Sequence, residues 1–273
     1  IEDPGYTGTR GALLAAEARL VPVPVNREGI DVESGRALCP TARLAIVTPS
    51  HQFPTGVSMS LSRRLALLEW ARATGAWIVE DDYDSEYRFG GRPLEALHGL
   101  DTAGRVLYVG TFSKVLFPSL RVGYLVAPPG LLEGLLAARR FVDIHPPLLE
   151  QIALADFMDE GHFARYVRKM RLVYAERRNA LADALRRELH GELEVVMPEA
   201  GIHLAAWLAE DARIQSTALQ STAHALNILT MSQLSVRPLH RDGLLLGFAS
   251  AGPEELRAGV HTLARALAAK AGT

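Results

Sequence analysis

The chain has one cysteine, Cys39, in 273 residues, which excludes a disulfide framework and a multi-thiolate zinc site, and no metal site is read from its spacing. No apolar run approaches the ~18 residues that a spanning helix needs, so no membrane association is expected. No basic-then-apolar leader opens the sequence. An excess of one charge is also missing. The 29 Lys and Arg stand against 31 Asp and Glu, so a dedicated nucleic-acid surface within these residues is not expected. Lysine is scarce: 26 of the 29 cations are Arg, leaving only Lys114, Lys169 and Lys270 for chemistry that needs a primary amine. What is present is 48% hydrophobic and 22% charged residues, enough to bury a core, in a length that suggests about two domains. The expectation is a soluble, cytoplasmic α/β protein. Ile1 to Tyr6 reads as a strand end running into a turn, with no initiator Met and no obvious partner strand. The chain is therefore expected to be an N-terminally truncated piece of a longer protein.

The first half alternates helical and extended patterns. Gly8 to Ala18 and Ser60 to Thr74 read as helices, the second stopped by Gly75. Leu20 to Val25, Arg43 to Thr48, Trp77 to Val79, Val106 to Val109 and Val122 to Ala127 read as strands. Such alternation predicts parallel pairing, with ligands at the carboxyl ends of the strands, where Asp81 and Lys114 fall. From Leu149 to Leu189 a long helix is predicted, interrupted at Gly161. Its basic cluster Arg165, Arg168, Lys169 and Arg171 reads as a solvated face rather than a nucleic-acid contact, because Glu176, Asp183 and Glu188 follow. Strands over Glu194–Met197, Gly201–Leu208 and Leu244–Ala249 and a helix over Pro253–Ala269 complete a smaller α+β unit. The division expected is 1–150 and 151–273.

Three motifs could carry chemistry. In Thr111-Phe-Ser-Lys114, with Arg121 downstream, the amine could condense with the aldehyde of pyridoxal phosphate while hydroxyls and a guanidinium hold its phosphate; a surface loop lysine is the plainer alternative. In Asp81-Asp82-Tyr83, a carboxylate could keep a pyridine nitrogen protonated and a phenol could tune the imine; an exposed acidic turn is the alternative. In Thr48-Pro-Ser-His-Gln-Phe-Pro-Thr-Gly56, His51 could act as a base or simply be a hydrogen-bonded loop residue. Tyr6, just after Pro4-Gly5, could stack on a flat ring or sit in the core.

Taken in order, EDPGY at Glu2–Tyr6, TPSHQFPTG at Thr48–Gly56, EDDYDSEYR at Glu80–Arg88 and VGTFSKVLFPSLRVGYL at Val109–Leu125 resemble the fold-type I aminotransferases. The likeness extends through His145–Arg171 and Tyr174–Asn179. It is most specific to the aminotransferase-like domain of MocR-type transcriptional regulators of the GntR superfamily. The resemblance implies an aspartate aminotransferase-like α/β fold, with a mainly parallel sheet flanked by helices and a smaller C-terminal α+β domain.

The resemblance also implies pyridoxal phosphate as cofactor. Lys114 takes the place of the Schiff-base lysine, Asp81 of the pyridine-nitrogen carboxylate and Tyr83 of the phenol at the cofactor O3′. Tyr6 takes the place of the stacking aromatic, and Thr111, Ser113 and Arg121 those of phosphate-side residues. Phe53 stands where ordinary aminotransferases carry the Asn that contacts O3′, so that contact is either absent or made by Gln52 or His51. Ser250 stands where a carboxylate-gripping Arg is usual, with Arg237 and Arg241 as substitutes. The implied function is an effector-sensing domain that takes an amine or amino acid as external aldimine. It would act as a homodimer and reach DNA through a winged-helix domain absent from these residues. A working class I/II aminotransferase is the alternative, and a domain serving only for dimerisation a third.

Overall fold

The computed structural model describes residues 1–90 and 95–271. Among the described residues, eleven strands make three sheets. The first contains β1 (Glu2–Asp3), β2 (Val23–Asn26) and β3 (Gly29–Ile30), with β1 parallel to β2. The strand end at Glu2 thus has a partner, contrary to expectation, and the Ile1 amino group donates to the Val21 carbonyl at 3.0 Å. The second sheet runs in the order β4 (Leu44–Val47), β5 (Trp77–Asp82), β6 (Val106–Thr111) and β7 (Gly123–Val126).

β4, β5 and β6 are parallel, but β7 is antiparallel to β6. Only a short helix, Phe112–Val115, and one 3₁₀ turn, Pro118–Leu120, join them, too little chain for a parallel crossover. The helix Leu61–Thr74 covers this sheet. Ser60 caps it by accepting from the Arg63 N–H at 3.3 Å, and Gly75 ends it in the left-handed region at φ 70°. Leu67, Trp70 and Ala71 of its inner face are buried with Val47, Ile78 and Val106, each aliphatic side chain contributing about 1.5–3 kcal/mol of burial.

The third sheet is antiparallel, in the order β10 (Leu229–Thr230), β11 (Gly243–Gly247), β9 (His203–Leu208) and β8 (Leu193–Val196). The helices His162–Glu188 and Pro253–Ala271 pack on it through Leu181, Leu185, Val260, Leu263 and Leu267 against Leu204 and Leu244. The predicted interruption is real: Gly161, at φ 75°, separates Leu148–Asp159 from His162–Glu188. Three helices the sequence pattern did not suggest are Val32–Leu38, Pro129–Asp143 and Ser216–Ala225.

Backbone pairing joins the second and third sheets. Arg88 bridges Ala200, the Phe89 N–H donates to the Glu199 carbonyl at 2.7 Å, and Gly201 donates to the Tyr87 carbonyl at 2.9 Å. Asp3 ties β1 to the segment before β11 by accepting from Ser235, Val236 and Arg237. Every residue of β7 is exposed, and Pro129–Asp143 buries none of its side chains.

Candidate functional site

Parallel register carries the sequence-predicted residues to one end of the sheet. Asp81 pairs with Val109 and Asp82 with Gly110, so the ends of β5 and β6 leave the sheet side by side. Tyr83 follows β5, and Lys114 lies in the helix that follows β6. Thr111 caps that helix, its Oγ1 accepting from the Ser113 N–H at 3.2 Å, and Ser113 is buried. The Phe112 N–H donates to the Val122 carbonyl at 3.0 Å, which brings Arg121 back beside Thr111. Arg121 is exposed and sits in the left-handed region at φ 53°. Lys114 is exposed and joins none of the hydrogen bonds or ion pairs among the described residues. Tyr6 is half exposed, its ring edge-on to Phe53 at 5.6 Å, and it lines a small cavity with Glu2, Gly5, Thr48 and Asp81.

Burial sets the electrostatics. Desolvation pushes the Asp81 carboxyl up to about 6, helped by the negative charges of Asp82 and Asp84. A cation against Asp81 would reverse both effects. Asp82 is committed elsewhere: its Oδ2 accepts from Tyr108 Oη at 2.6 Å and Ser85 Oγ at 2.7 Å. Burial, together with the surrounding carboxylates, raises the Tyr83 phenol well above its usual range, so it remains a proton donor. That hydroxyl donates to the His51 carbonyl at 2.8 Å and lies 3.1 Å from His51 Nδ1.

The HQFPTG loop is fixed by side chains that sequence reasoning did not connect. Gln52 is spent internally. Its Nε2 donates to Glu2, to the Pro4 carbonyl and to the Phe53 carbonyl, and its Oε1 accepts from the N–H and hydroxyl of Thr55. Of the two residues expected to replace the missing Asn contact, His51 alone retains an unpartnered side-chain nitrogen, Nε2. Glu2 is buried, with Oε2 accepting from Thr48 N at 3.1 Å, Thr48 Oγ1 at 2.7 Å and Gln52 Nε2 at 3.2 Å. Desolvation outweighs these bonds and pushes its carboxyl up to about 7.

Ser250 is exposed just beyond β11. Of its expected helpers, Arg241 is bound to Glu194 Oε2 at 2.7 Å and to the Leu208 carbonyl, and Arg237 is exposed. Another cation near in space is Arg177, whose guanidinium donates to the carbonyl of Ala249, the residue before Ser250, and whose Nε is buried without a partner among the described residues. Arg177 falls in the Tyr174–Asn179 stretch that carries the resemblance, but nothing local ties it to Ala249, 72 residues away.

The sequence profile of the aminotransferase class I and II family matches residues 1–264. The chain belongs to that family. It is 42% identical, over 98% of its length and 54% of the relative's, to the probable rhizopine catabolism regulatory protein MocR of Rhizobium meliloti. It is 34% identical to the HTH-type transcriptional regulator TauR of Rhodobacter capsulatus, over 98% of its own length and 54% of TauR's. The chain thus spans about half the length of these regulators. Among solved structures, LysN, the α-aminoadipate aminotransferase of Thermus thermophilus complexed with N-(5′-phosphopyridoxyl)-L-leucine, matches with a TM-score of 0.87. That match has 31% identity over 98% of this chain and 70% of LysN. The fold is that of the fold-type I aminotransferases, as expected. No helix among the described residues is long and apolar enough to cross a membrane.

Proposed function

We propose that this chain is the pyridoxal phosphate-binding, effector-sensing part of a MocR/GntR-type transcriptional regulator, with 1–150 as the cofactor domain and 151–273 as the smaller domain. The observation that carries the reading is the 42% identity to one half of a regulator, extending over 98% of the chain. The site fits the cofactor. Asp81 is a desolvated carboxylate in want of a cation, Tyr6 a half-exposed ring beside it, and Lys114 an uncommitted amine at the same sheet end. When bound, pyridoxal phosphate supplies an aldehyde that captures amines and a ring that withdraws electrons.

The chain's residues divide the remaining work. Asp81 holds a proton on the ring nitrogen, and Tyr83 supplies a hydrogen-bond donor. Tyr6 covers one ring face. Thr111, Ser113 and Arg121 bind the phosphate, and Lys114 is the amine that an incoming effector displaces. The effector is an amine or amino acid. Loss of the Lys114 tether would shift the domain, and that shift would pass to a separate winged-helix domain of the whole cytoplasmic protein that contacts DNA. A homodimer is supported by the apolar strip of Leu132, Leu136, Phe141, Val142 and Ile144, with Phe141 91% exposed. The alternative, a working aminotransferase, has the LysN likeness in its favour.

The test is to titrate the cofactor-loaded full-length protein with a panel of amines, following the imine absorption band and operator affinity together. Spectral change coupled to a change in DNA affinity is the expected result. Rapid turnover of amino acid to keto acid without any effect on DNA binding would favour the enzyme.

A further inference from the structure

The most unusual group of side chains lies where the HQFPTG loop, the end of β5 and the start of β9 meet, and the proposal below gives the Nε2 of His51 to it rather than to the cofactor. His51, Asp84 and His203 are 1%, 1% and 5% exposed, and one ligand atom of each lies within 4.8 Å of the other two. The two imidazole rings stand side by side, centroids 4.4 Å apart and tilted by 35°. The Nδ1 of His51 meets the Asp84 carboxylate at 3.0 and 3.3 Å. Both Nε2 atoms are buried without a hydrogen-bond partner among the described residues. A buried acceptor without a donor is costly, and two in adjacent imidazoles define a place for a species that accepts lone pairs.

We infer that His51 Nε2 and His203 Nε2 form a site for a borderline divalent cation of the Zn²⁺, Co²⁺ or Ni²⁺ type, with Asp84 as the carboxylate that orients His51. The pattern is the one metal-binding histidines show: one ring nitrogen donates to a carboxylate or carbonyl, which fixes the tautomer, and the other presents its lone pair. Imidazole nitrogens suit these ions, and Asp84 supplies compensating negative charge in a desolvated place.

The surrounding backbone keeps the site open. Gly201 lies in the left-handed region at φ 91°, and a Cβ there would overlap the His51 ring and the Asp84 carboxylate. The Ile202 N–H donates to Asp84 Oδ2 at 3.2 Å, which holds β9 and its histidine against the loop. Sequence spacing hides the set, because the three residues come from positions 51, 84 and 203.

The experiment is metal titration of the chain stripped with chelator and without added cofactor. Co²⁺ is followed by its visible d–d absorption, Zn²⁺ by competition, and stoichiometry by elemental analysis. One ion per chain with low-micromolar affinity is expected. His203→Phe, which keeps an aromatic ring against Phe53 and Tyr83, and His51→Gln should each abolish the cobalt bands. Asp84→Asn should weaken binding roughly 10–100-fold. Circular dichroism of each variant separates loss of a ligand from loss of fold. No stoichiometric uptake by the folded wild-type chain would overturn the proposal and leave the lone pairs to buried water. Uptake that His203→Phe leaves unchanged in a folded protein would overturn it equally, because the ion would then be on surface histidines.

Discussion

Glu2→Gln should remove a specific part of the pH dependence of stability. The folded chain raises the Glu2 carboxyl from its ordinary 4.5 to about 7, through desolvation that the Thr48 and Gln52 hydrogen bonds offset only in part. Between those two values the native state holds a proton that the unfolded chain has released. The stabilisation is therefore full below the unfolded pKa and is lost as pH rises through about 7. Linkage between these two pKa values gives a loss of about 2 kcal/mol from Glu2 between about pH 5.5 and pH 8. The substituted glutamine would keep an oxygen to accept from Thr48 and Gln52 and carry no proton to lose, so the variant lacks this contribution. Asp81 and Glu86, raised by burial to about 6 and about 7, remain in both proteins and cancel in the comparison. The assay is urea unfolding of both proteins at a series of pH values. Wild type should lose about 2 kcal/mol more than Glu2→Gln over that interval. Parallel pH profiles would refute the reasoning, showing that Glu2 is solvated or paired in solution.

Arg64 is buried and donates to the Met59, Pro49 and Glu95 carbonyls, with Glu80 Oε1 at 3.8 Å, so Arg64→Met should cost about 3–5 kcal/mol in thermal or urea unfolding by leaving those carbonyls without a donor and the buried Glu80 without its cation. Gly201→Ala should lower stability by about 1–3 kcal/mol from backbone strain alone, with further loss from overlap with His51, measured the same way. Asp81→Asn should weaken pyridoxal phosphate binding, followed by the cofactor's absorption, much more than Asp82→Asn. The latter keeps an oxygen that can accept from Tyr108 and Ser85 and should leave the absorption nearly unchanged.

Local pattern carried the elements well and the long-range partnerships poorly. Apolar runs bounded by Pro and Gly located β4, β6 and β7, and Ser60, Gly75 and Gly161 marked real helix boundaries. β5 is longer than expected because its acidic end is inside the sheet. Glu80, just past the strand expected to end at Val79, is buried and accepts from the Leu97 and His98 N–H groups at 3.0 and 2.9 Å. Those donors lie 17 and 18 residues away, beyond any periodicity. The antiparallel turn of β7 followed from connection length rather than from its own residues. Asp81 and Lys114 could be singled out as candidates because both fall at the carboxyl ends of neighbouring strands, Asp81 in the last residues of β5 and Lys114 in the short helix after β6. Glu2, His203 and Arg177 were not, since each gains its meaning from a partner dozens of residues distant.

The proposed function rests on Lys114 as the amine that holds the cofactor. Incubation of the protein with pyridoxal phosphate, reduction with borohydride and peptide mapping tests it directly. The phosphopyridoxyl group is expected on the peptide carrying Lys114, with its loss in Lys114→Ala. A label on Lys169 or Lys270 with Lys114 unmodified would contradict it.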